Sequence, residues 1–216
     1  MQSGFRRVIG GVPGFQNRLR LMQFPRARGF DPKVIIPQEA NRLMHVSTET
    51  YNLSWFQLPD RQERTRWLVL ATSRRSIASL VETAERANIQ VNLLDLRPFA
   101  MARAVNQPDA VIAWAAPDGC DVVIVKDSAP LDHQSLFWGA ELVEETVLVD
   151  RLTEIVGRTV TTFNETSPEG PLSDEAPLFV CGSPLRREPA IARRVADNLR
   201  METGELDIPL VVPPDF

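Results

Sequence analysis

Between residues 67 and 104 the spacing of apolar positions changes repeatedly, and the changes predict a strand, a helix, a second strand and a second helix in unbroken succession. Residues 67–71 (WLVLA) form a short apolar run. Thr72 and Ser73 can then cap a helix in which Ile77, Leu80, Val81, Ala84 and Asn88 recur at helical spacing, with Asn88 at its end. Residues 91–96 are a second apolar run, too short for a helix. Arg97-Pro98 closes it, because a residue before proline is driven extended and proline suits the first turn of a new helix. Two strands joined by one helix are expected to lie parallel, with a right-handed crossover.

Ahead of this unit the pattern is more broken. Residues 7–12 predict a small strand ending at Pro13-Gly14, and residues 18–24 (RLRLMQF) alternate basic and apolar positions like a half-buried strand. Asp31 and Pro32 have the form of a helix cap and first helical residue, while Pro37 argues that the regular helix begins there and runs through Gln38, Glu39, Ala40 and Leu43. Residues 50–58 (TYNLSWFQL) predict a strand and residues 59–66 a charged turn. On that strand Tyr51 and Trp55 share a face and Phe56 takes the other. One set is expected in the core; the other, if exposed, offers the kind of sheet surface that accepts a partner peptide.

After residue 104 the polar stretch Asn106-Gln107-Pro108-Asp109 marks an expected domain boundary, dividing the chain into 1–105 and 106–216. Three apolar runs follow at 110–115, 121–126 and 131–138. Turn signals at Pro117-Asp118-Gly119 and 127–130 separate them, which predicts an antiparallel meander. Residues 141–163 predict a long helix with Glu145, Leu148, Val149, Leu152, Ile155, Val156 and Val160 on or near one face; Gly157 and the β-branched residues weaken it. A Pro, Gly, Ser and acidic loop spans 166–176. A buried strand at 178–181 then ends at Gly182-Ser183-Pro184, a helix covers 188–199 and a last strand covers 208–212.

Composition narrows the function more than the fold. The chain has 216 residues, 44% of them hydrophobic and 24% charged, as in an ordinary soluble globular protein. A net charge of −4, with arginines read as scattered, gives no reason to expect a nucleic-acid partner. No apolar run is long enough to span a bilayer, and the run after Arg6-Arg7 is broken by Gly10, Gly11, Pro13 and Gly14, unlike a signal peptide. Cys120 and Cys181 lack CxxC spacing, which suggests a reducing compartment and a cytoplasmic protein. Cys181, after an apolar strand, is expected to be a core residue, and Cys120, in or beside a turn, could be exposed but has no evident activating base. His45 and His133 are too few for a histidine metal cluster, and no Walker or dinucleotide-binding pattern is present. Arg74-Arg75 and Arg186-Arg187 read as solvated charges at helix starts.

Residues 93–104 (LLDLRPFAMARA), preceded by ERANIQV, resemble the stretch joining the two halves of the PilM family, the actin-like cytoplasmic ATPases of type IV pilus assembly. There a strand ending in an acidic residue meets a Pro-Phe-Ala helix start, as Asp95, Pro98, Phe99 and Ala100 do here. QEANRLM (38–44) resembles the family's Glu-Ala-x-Arg helix, and Val12-Pro13-Gly14 its VPG turn, within a hairpin whose second strand ends at a proline, here Pro25. The resemblance covers residues 8–212 and implies an α/β, two-lobed actin-like (ribonuclease H-like) fold. Its first lobe would be incomplete and would carry a small inserted α+β subdomain at about 31–66. Family members carry their first strand pair and phosphate-binding loop ahead of the point where this chain has seven residues.

The same resemblance implies degenerate nucleotide positions. Residues 111–115 (VIAWA) stand where the family has a sequence like VVDIG, so Ala113 replaces the acidic residue and Ala115 the glycine; the third element survives only as Cys181-Gly182-Ser183. Alanine neither holds a metal nor allows glycine's close backbone approach. The expectation is therefore a pseudo-ATPase with no catalytic residue, no metal ligand and no ATP or Mg²⁺. The family's inserted subdomain holds the short cytoplasmic tail of PilN, an inner-membrane pilus protein. Tyr51, Trp55, Phe56 and Arg42 are the corresponding candidates here, in a scaffold held at the inner face of the membrane by its partner within the pilus or a related secretion machinery. Two other readings are an ATP-binding switch whose first lobe is completed in trans, and a decayed reading frame.

Overall fold

The computed structural model describes residues 7–205 apart from 13, 15–16, 27–28, 62, 140–143 and 187. The chain forms two compact units, one reaching to Phe99 and including Leu131–Ser135, the other comprising Ala100–Pro130 and the chain from Leu136 onward.

The first unit contains β1 (Arg7–Val12), β2 (Asn17–Pro25), α1 (Pro32–Met44), β3 (Tyr51–Arg61), β4 (Arg64–Ser73), α2 (Arg74–Arg86) and β5 (Gln90–Leu96). Its larger sheet has the order β2-β4-β3, antiparallel throughout, with Met22 opposite Trp67 and Phe56 opposite Leu68. α1 covers one face. Ile36 and Ala40 are fully buried against Met22, Val69 and Ala71, with Tyr51, Leu53 and Trp55 packed around them. Removing a side chain such as Ile36 from water is worth roughly 1.5–3 kcal/mol.

The structure corrects four local expectations here. α1 begins at Pro32, and Pro37 lies inside it. Asp31 closes the turn before Pro37: its carboxylate accepts the Lys33 N–H at 2.9 Å and its carbonyl accepts the Ile35 N–H at 3.0 Å. The charged turn expected at 59–66 is mostly strand, because β3 and β4 run on to Arg61 and from Arg64. Pro59 is tolerated there because β3 is an edge strand with an irregular register between Leu58 and Arg61. β4 and β5 do not pair in parallel: β2 and β3 occupy both edges of β4, and β5 pairs in parallel with β1 instead. For the same reason the expected hairpin of β1 with β2 does not form among the described residues. β2 instead matches β4 over its whole length, from Asn17 opposite Thr72 to Pro25 opposite Arg64.

α2 starts where expected, with the Ser73 hydroxyl accepting the Ser76 N–H at 3.4 Å, and Asn88 lies just beyond its end in the left-handed conformation. α3 (Arg97–Val105) follows β5, with Pro98 in its first turn, and the division between the units falls inside it.

The second unit contains β6 (Ala110–Ala116), β7 (Gly119–Lys126), the two ends of β8 (Ala129–Phe137), whose residues 131–135 group with the first unit, α4 (Glu145–Thr166), β9 (Leu178–Gly182) and α5 (Ala190–Leu199). Its sheet order is β8-β7-β6-β9, with β6 antiparallel to β7 and parallel to β9. The turn between β7 and β8 has Asp127 and Ser128 both at positive φ, the geometry that matches the natural twist of a two-residue hairpin. α4 buries Leu148, Val149, Leu152, Ile155, Val156, Thr159 and Phe163. Val160, expected on that face, is half-buried; the Thr159 hydroxyl is satisfied by donating to the Ile155 carbonyl at 2.7 Å. Gly157 has a packing reason, since a Cβ there would lie 3.2 Å from Leu199 of α5. The 166–176 loop is pinned: the Leu172 N–H donates to the Asn164 side chain at 2.9 Å, and the Lys126 ammonium reaches the Gly170 and Pro171 carbonyls. The strand expected at 208–212 and the start of the helix expected at 141 lie outside the described residues. Among the described residues no helix is long and apolar enough to cross a membrane.

Candidate functional site

Ala113 and Ala115 both lie on β6 and are completely buried. Parallel register places Ala113 beside Val180 and Ala115 beside Gly182 of β9, so the structure does bring Ala115 and Gly182 together. What it brings together is backbone. Gly182 has φ +126°, and a Cβ on it would meet the Ala115 carbonyl oxygen at 1.9 Å. The glycine is thus required by the contact of two strands. Ser183 begins the short 3-10 turn Ser183–Arg186 that follows β9 and is exposed. No acidic side chain stands at Ala113 or Ala115, and the close approach at Gly182 is taken up by protein.

The partner-binding candidates separate by strand periodicity. Tyr51 and Trp55 are on the face of β3 that packs against the first unit's core, and the Arg18 guanidinium lies 5.8 Å from the centre of the Tyr51 ring. Phe56 points to the opposite face and is 52% exposed; its ring centroid lies 6.0 Å from that of Phe99, at the start of α3. On that same face the β4 residues Leu68 and Leu70 are buried. Arg66, 4% exposed, donates to the Pro59 carbonyl at 3.1 Å. Arg42 sits on the last turn of α1, 66% exposed, with its guanidinium 2.6 Å from the Glu39 carboxylate. The four candidates therefore do not form one cluster. Two pack, half-buried, against the core, and Phe56 and Arg42 face solvent.

Backbone adds what the aromatic pattern could not. β3 is eleven residues long and forms one edge of its sheet, with β4 as its ladder partner. An edge strand presents a row of N–H and C=O groups on its outer side, and here an aromatic pair, the exposed Phe56 and the half-buried Phe99, stands beside it.

The remaining chemically interesting side chains are structural. Cys120, read from its turn as a residue that could be exposed, is buried on β7, and burial pushes its thiol up to about 12. Cys181 is half-buried, and burial pushes it up to about 11. His133 contacts Ser135 at 3.1 Å two residues along the same strand. Asp132, the residue before His133 and on the other face of the strand, does not complete a triad. His45 is exposed at the left-handed C-cap of α1.

Reading the arginines as scattered misses a segregation by unit. The first unit, up to Phe99 and with Leu131–Ser135, has 15 Lys and Arg against 9 Asp and Glu, and the rest of the chain has 9 against 19, for net charges of +6 and −10. Counting the halves separately is enough to see it.

No known protein-family model matches the sequence, and no curated protein sequence matches it closely. Solved structures do match. The PilM-PilN type IV pilus biogenesis complex gives a TM-score of 0.69 at 18% identity, over 94% of this chain and 70% of that one. The cytoplasmic domain of EpsL, an inner-membrane component of the type II secretion system of Vibrio cholerae, gives 0.53 at 12% identity, over 82% of this chain and 62% of that one. The ethanolamine utilization protein EutJ from Carboxydothermus hydrogenoformans gives 0.48 at 12% identity, over 61% and 56%. Likeness at these identities is a likeness of fold: the chain is an α/β protein with the actin-like ATPase fold.

Proposed function

We propose that this chain is a non-catalytic cytoplasmic scaffold of type IV pilus or related secretion assembly, which docks the short N-terminal tail of a PilN-like inner-membrane partner and so lies at the inner face of the membrane. The observation that carries the reading is the eleven-residue edge strand β3 with the exposed Phe56 and its neighbour Phe99 beside it. An extended tail gains affinity from main-chain pairing to such an edge and specificity from apolar side chains set against the aromatic pair. The fold likeness to a PilM-PilN complex and to the cytoplasmic domain of a secretion component supports the same assignment.

Support for the absence of catalysis comes from the positions an actin-like ATPase uses for nucleotide. Hydrolysis in such a site relies on a carboxylate to place Mg²⁺ and water and on backbone N–H groups to meet developing charge. Ala113 supplies no carboxylate, Ala115 is sealed in the sheet, and Gly182 is spent on the contact with Ala115. The residues at these positions do not fit the nucleotide.

Calorimetry on the whole chain tests the proposal, with one titration of Mg-ATP and one of a synthetic N-terminal peptide from the PilN-like protein of the same organism. Saturable heat with the peptide, weakened about tenfold or more by Phe56→Ala, is the expected result. Saturable ATP binding, or peptide affinity indifferent to Phe56, would overturn it. Replacing Gly182 is not a usable nucleotide test, because the Ala115 contact makes the variant a folding mutant.

A further inference from the structure

The phase of the β3 ladder fixes which of its backbone groups face outward. The Arg74 N–H donates to the Thr50 carbonyl at 3.0 Å, one step beyond the facing pair Tyr51 and Ser73. Hydrogen-bonded pairs alternate with non-bonded ones in an antiparallel ladder, so Asn52, Ser54, Phe56 and Leu58 direct their N–H and C=O groups to β4. Leu53, Trp55 and Gln57 turn theirs to the open side of the edge. The other flank of β4 keeps the same phase, since the Arg26 N–H reaches the Glu63 carbonyl at 3.3 Å, one bonded step beyond Phe24 and Thr65.

The open stretch is bounded at both ends. Tyr51 gives its N–H to the Ser47 carbonyl at 2.9 Å, and past Leu58 the chain meets Pro59, which has no N–H, and an irregular register. An antiparallel segment laid along this edge sets one residue directly opposite Phe56 in a non-hydrogen-bonded pair, where side chains approach most closely. From Tyr51 to Leu58 the strand carries no charge, but exposed arginines bracket it. At the Tyr51 end Arg74, held by donating to the Thr48 carbonyl at 3.1 Å, and Arg75 outnumber Glu49. At the Pro59 end Arg61 and Arg64 outnumber Glu63, while Asp60 is paired with Arg26.

We infer that the segment docked on β3 runs antiparallel to it, places an apolar side chain opposite Phe56 and carries carboxylates at both ends. This deepens the docking reading above and rests on it. Pairing to Leu53, Trp55 and Gln57 supplies affinity, the face of Phe56 selects the apolar residue, and the arginines select the sign of the flanks. A basic flank would meet like charge at either end.

Calorimetry of the whole chain with short synthetic peptides is the test. Each peptide alternates threonine and valine around a central leucine flanked by threonines, and ends at both sides in two glutamates, two glutamines or two lysines. The glutamate peptide should bind about tenfold tighter than the glutamine one in about 50 mM NaCl and lose that advantage at roughly 500 mM, and the lysine one should give no saturable heat. N-methylation of the two threonines beside the leucine should abolish binding and N-methylation of the leucine should not, because only those threonines point their N–H groups at β3. R64E/R75E, checked for native circular dichroism, should reverse the order of the glutamate and lysine peptides. Affinities indifferent to the flanks or to the double reversal overturn the acidic assignment, and the opposite N-methyl pattern overturns the register; in either case docking on β3 stands if Phe56→Ala still weakens binding. Binding of no peptide, or binding indifferent to Phe56, overturns the docking reading and this inference with it.

Discussion

β6 and β7 bury every residue except Trp114 and Lys126, both half-buried, whereas β3, at the edge of the other sheet, buries none of its eleven. Strands covered on both faces read as continuous apolar runs, and their side chains have little to do but pack. Ala113 and Ala115, which the resemblance alone would set at a nucleotide, are in that state. A half-covered edge strand keeps an alternating pattern and leaves side chains such as Phe56 over for other work. The contrast sets exposed side chains on β3 in the first unit against packed ones on β6 and β7 in the second.

The most damaging way to probe the sealed sheet is Gly182→Ala. A Cβ at 1.9 Å from the Ala115 carbonyl oxygen cannot be absorbed by a side-chain rotation, because the obstacle is backbone and φ is +126°. A loss above about 4 kcal/mol, or no soluble protein, is expected. Gly157→Ala is the matched control: its Cβ would press on the flexible end of Leu199 at 3.2 Å, and alanine favours the helix, so thermal unfolding should shift by no more than about 1 kcal/mol in either direction. Equal losses in the two variants would sink the claim that Gly182 serves strand contact.

A smaller effect with a definite sign belongs to Asp132 on β8. Burial, opposed by the hydrogen bond from the His133 N–H at 2.8 Å, raises its carboxyl above the usual range. The folded state therefore holds the proton more tightly than the unfolded state. Stability from this group is greatest below the unfolded value near 3.9 and is lost as pH rises through the interval up to the folded value. Asp132→Asn keeps an acceptor for His133 and removes the ionisation. The variant should melt higher than the parent at pH 7, with the difference shrinking as pH falls below about 4. A variant that melts lower at pH 7 would show that the ionised carboxylate has a stabilising partner.

Much of the architecture was legible because periodicity and punctuation agreed. The meander, the Ser73 cap, the Pro98 helix start and the acidic loop all follow from local chemistry. The failures were non-local. Which strand β4 or β5 pairs with depends on what already occupies each edge, and no feature of residues 67–96 records that β2 and β3 flank β4. Pro37 misled because a proline inside a helix costs stability without always ending it, and α1 runs on through it. In the site, the alternation separating Tyr51 and Trp55 from Phe56 was visible, but which face is covered was decided by α1. Cys120 misled in a similar way, since a position beside a turn is exposed only if no neighbouring strand covers it. A Cβ at the adjacent Gly119 would lie 2.4 Å from the Leu136 carbonyl of β8, which shows how closely that strand approaches.

Phe56→Ala should have the smallest effect on stability and the most informative one on function. The ring is 52% exposed and its described aromatic contact is the tilted one with Phe99, so truncation leaves no closed cavity and removes only part of one aromatic interaction. Thermal unfolding should move by no more than about 0.5 kcal/mol, the range of ordinary surface substitutions. Trp55→Ala, one residue away but on the core face with Val69 and Ala71, should cost about 3–5 kcal/mol. If peptide affinity falls for Phe56→Ala while stability holds, the exposed face of β3 is a working surface. Should both variants destabilise equally, Phe56 would be a core residue of the first unit, and the docking surface would have to be sought away from β3.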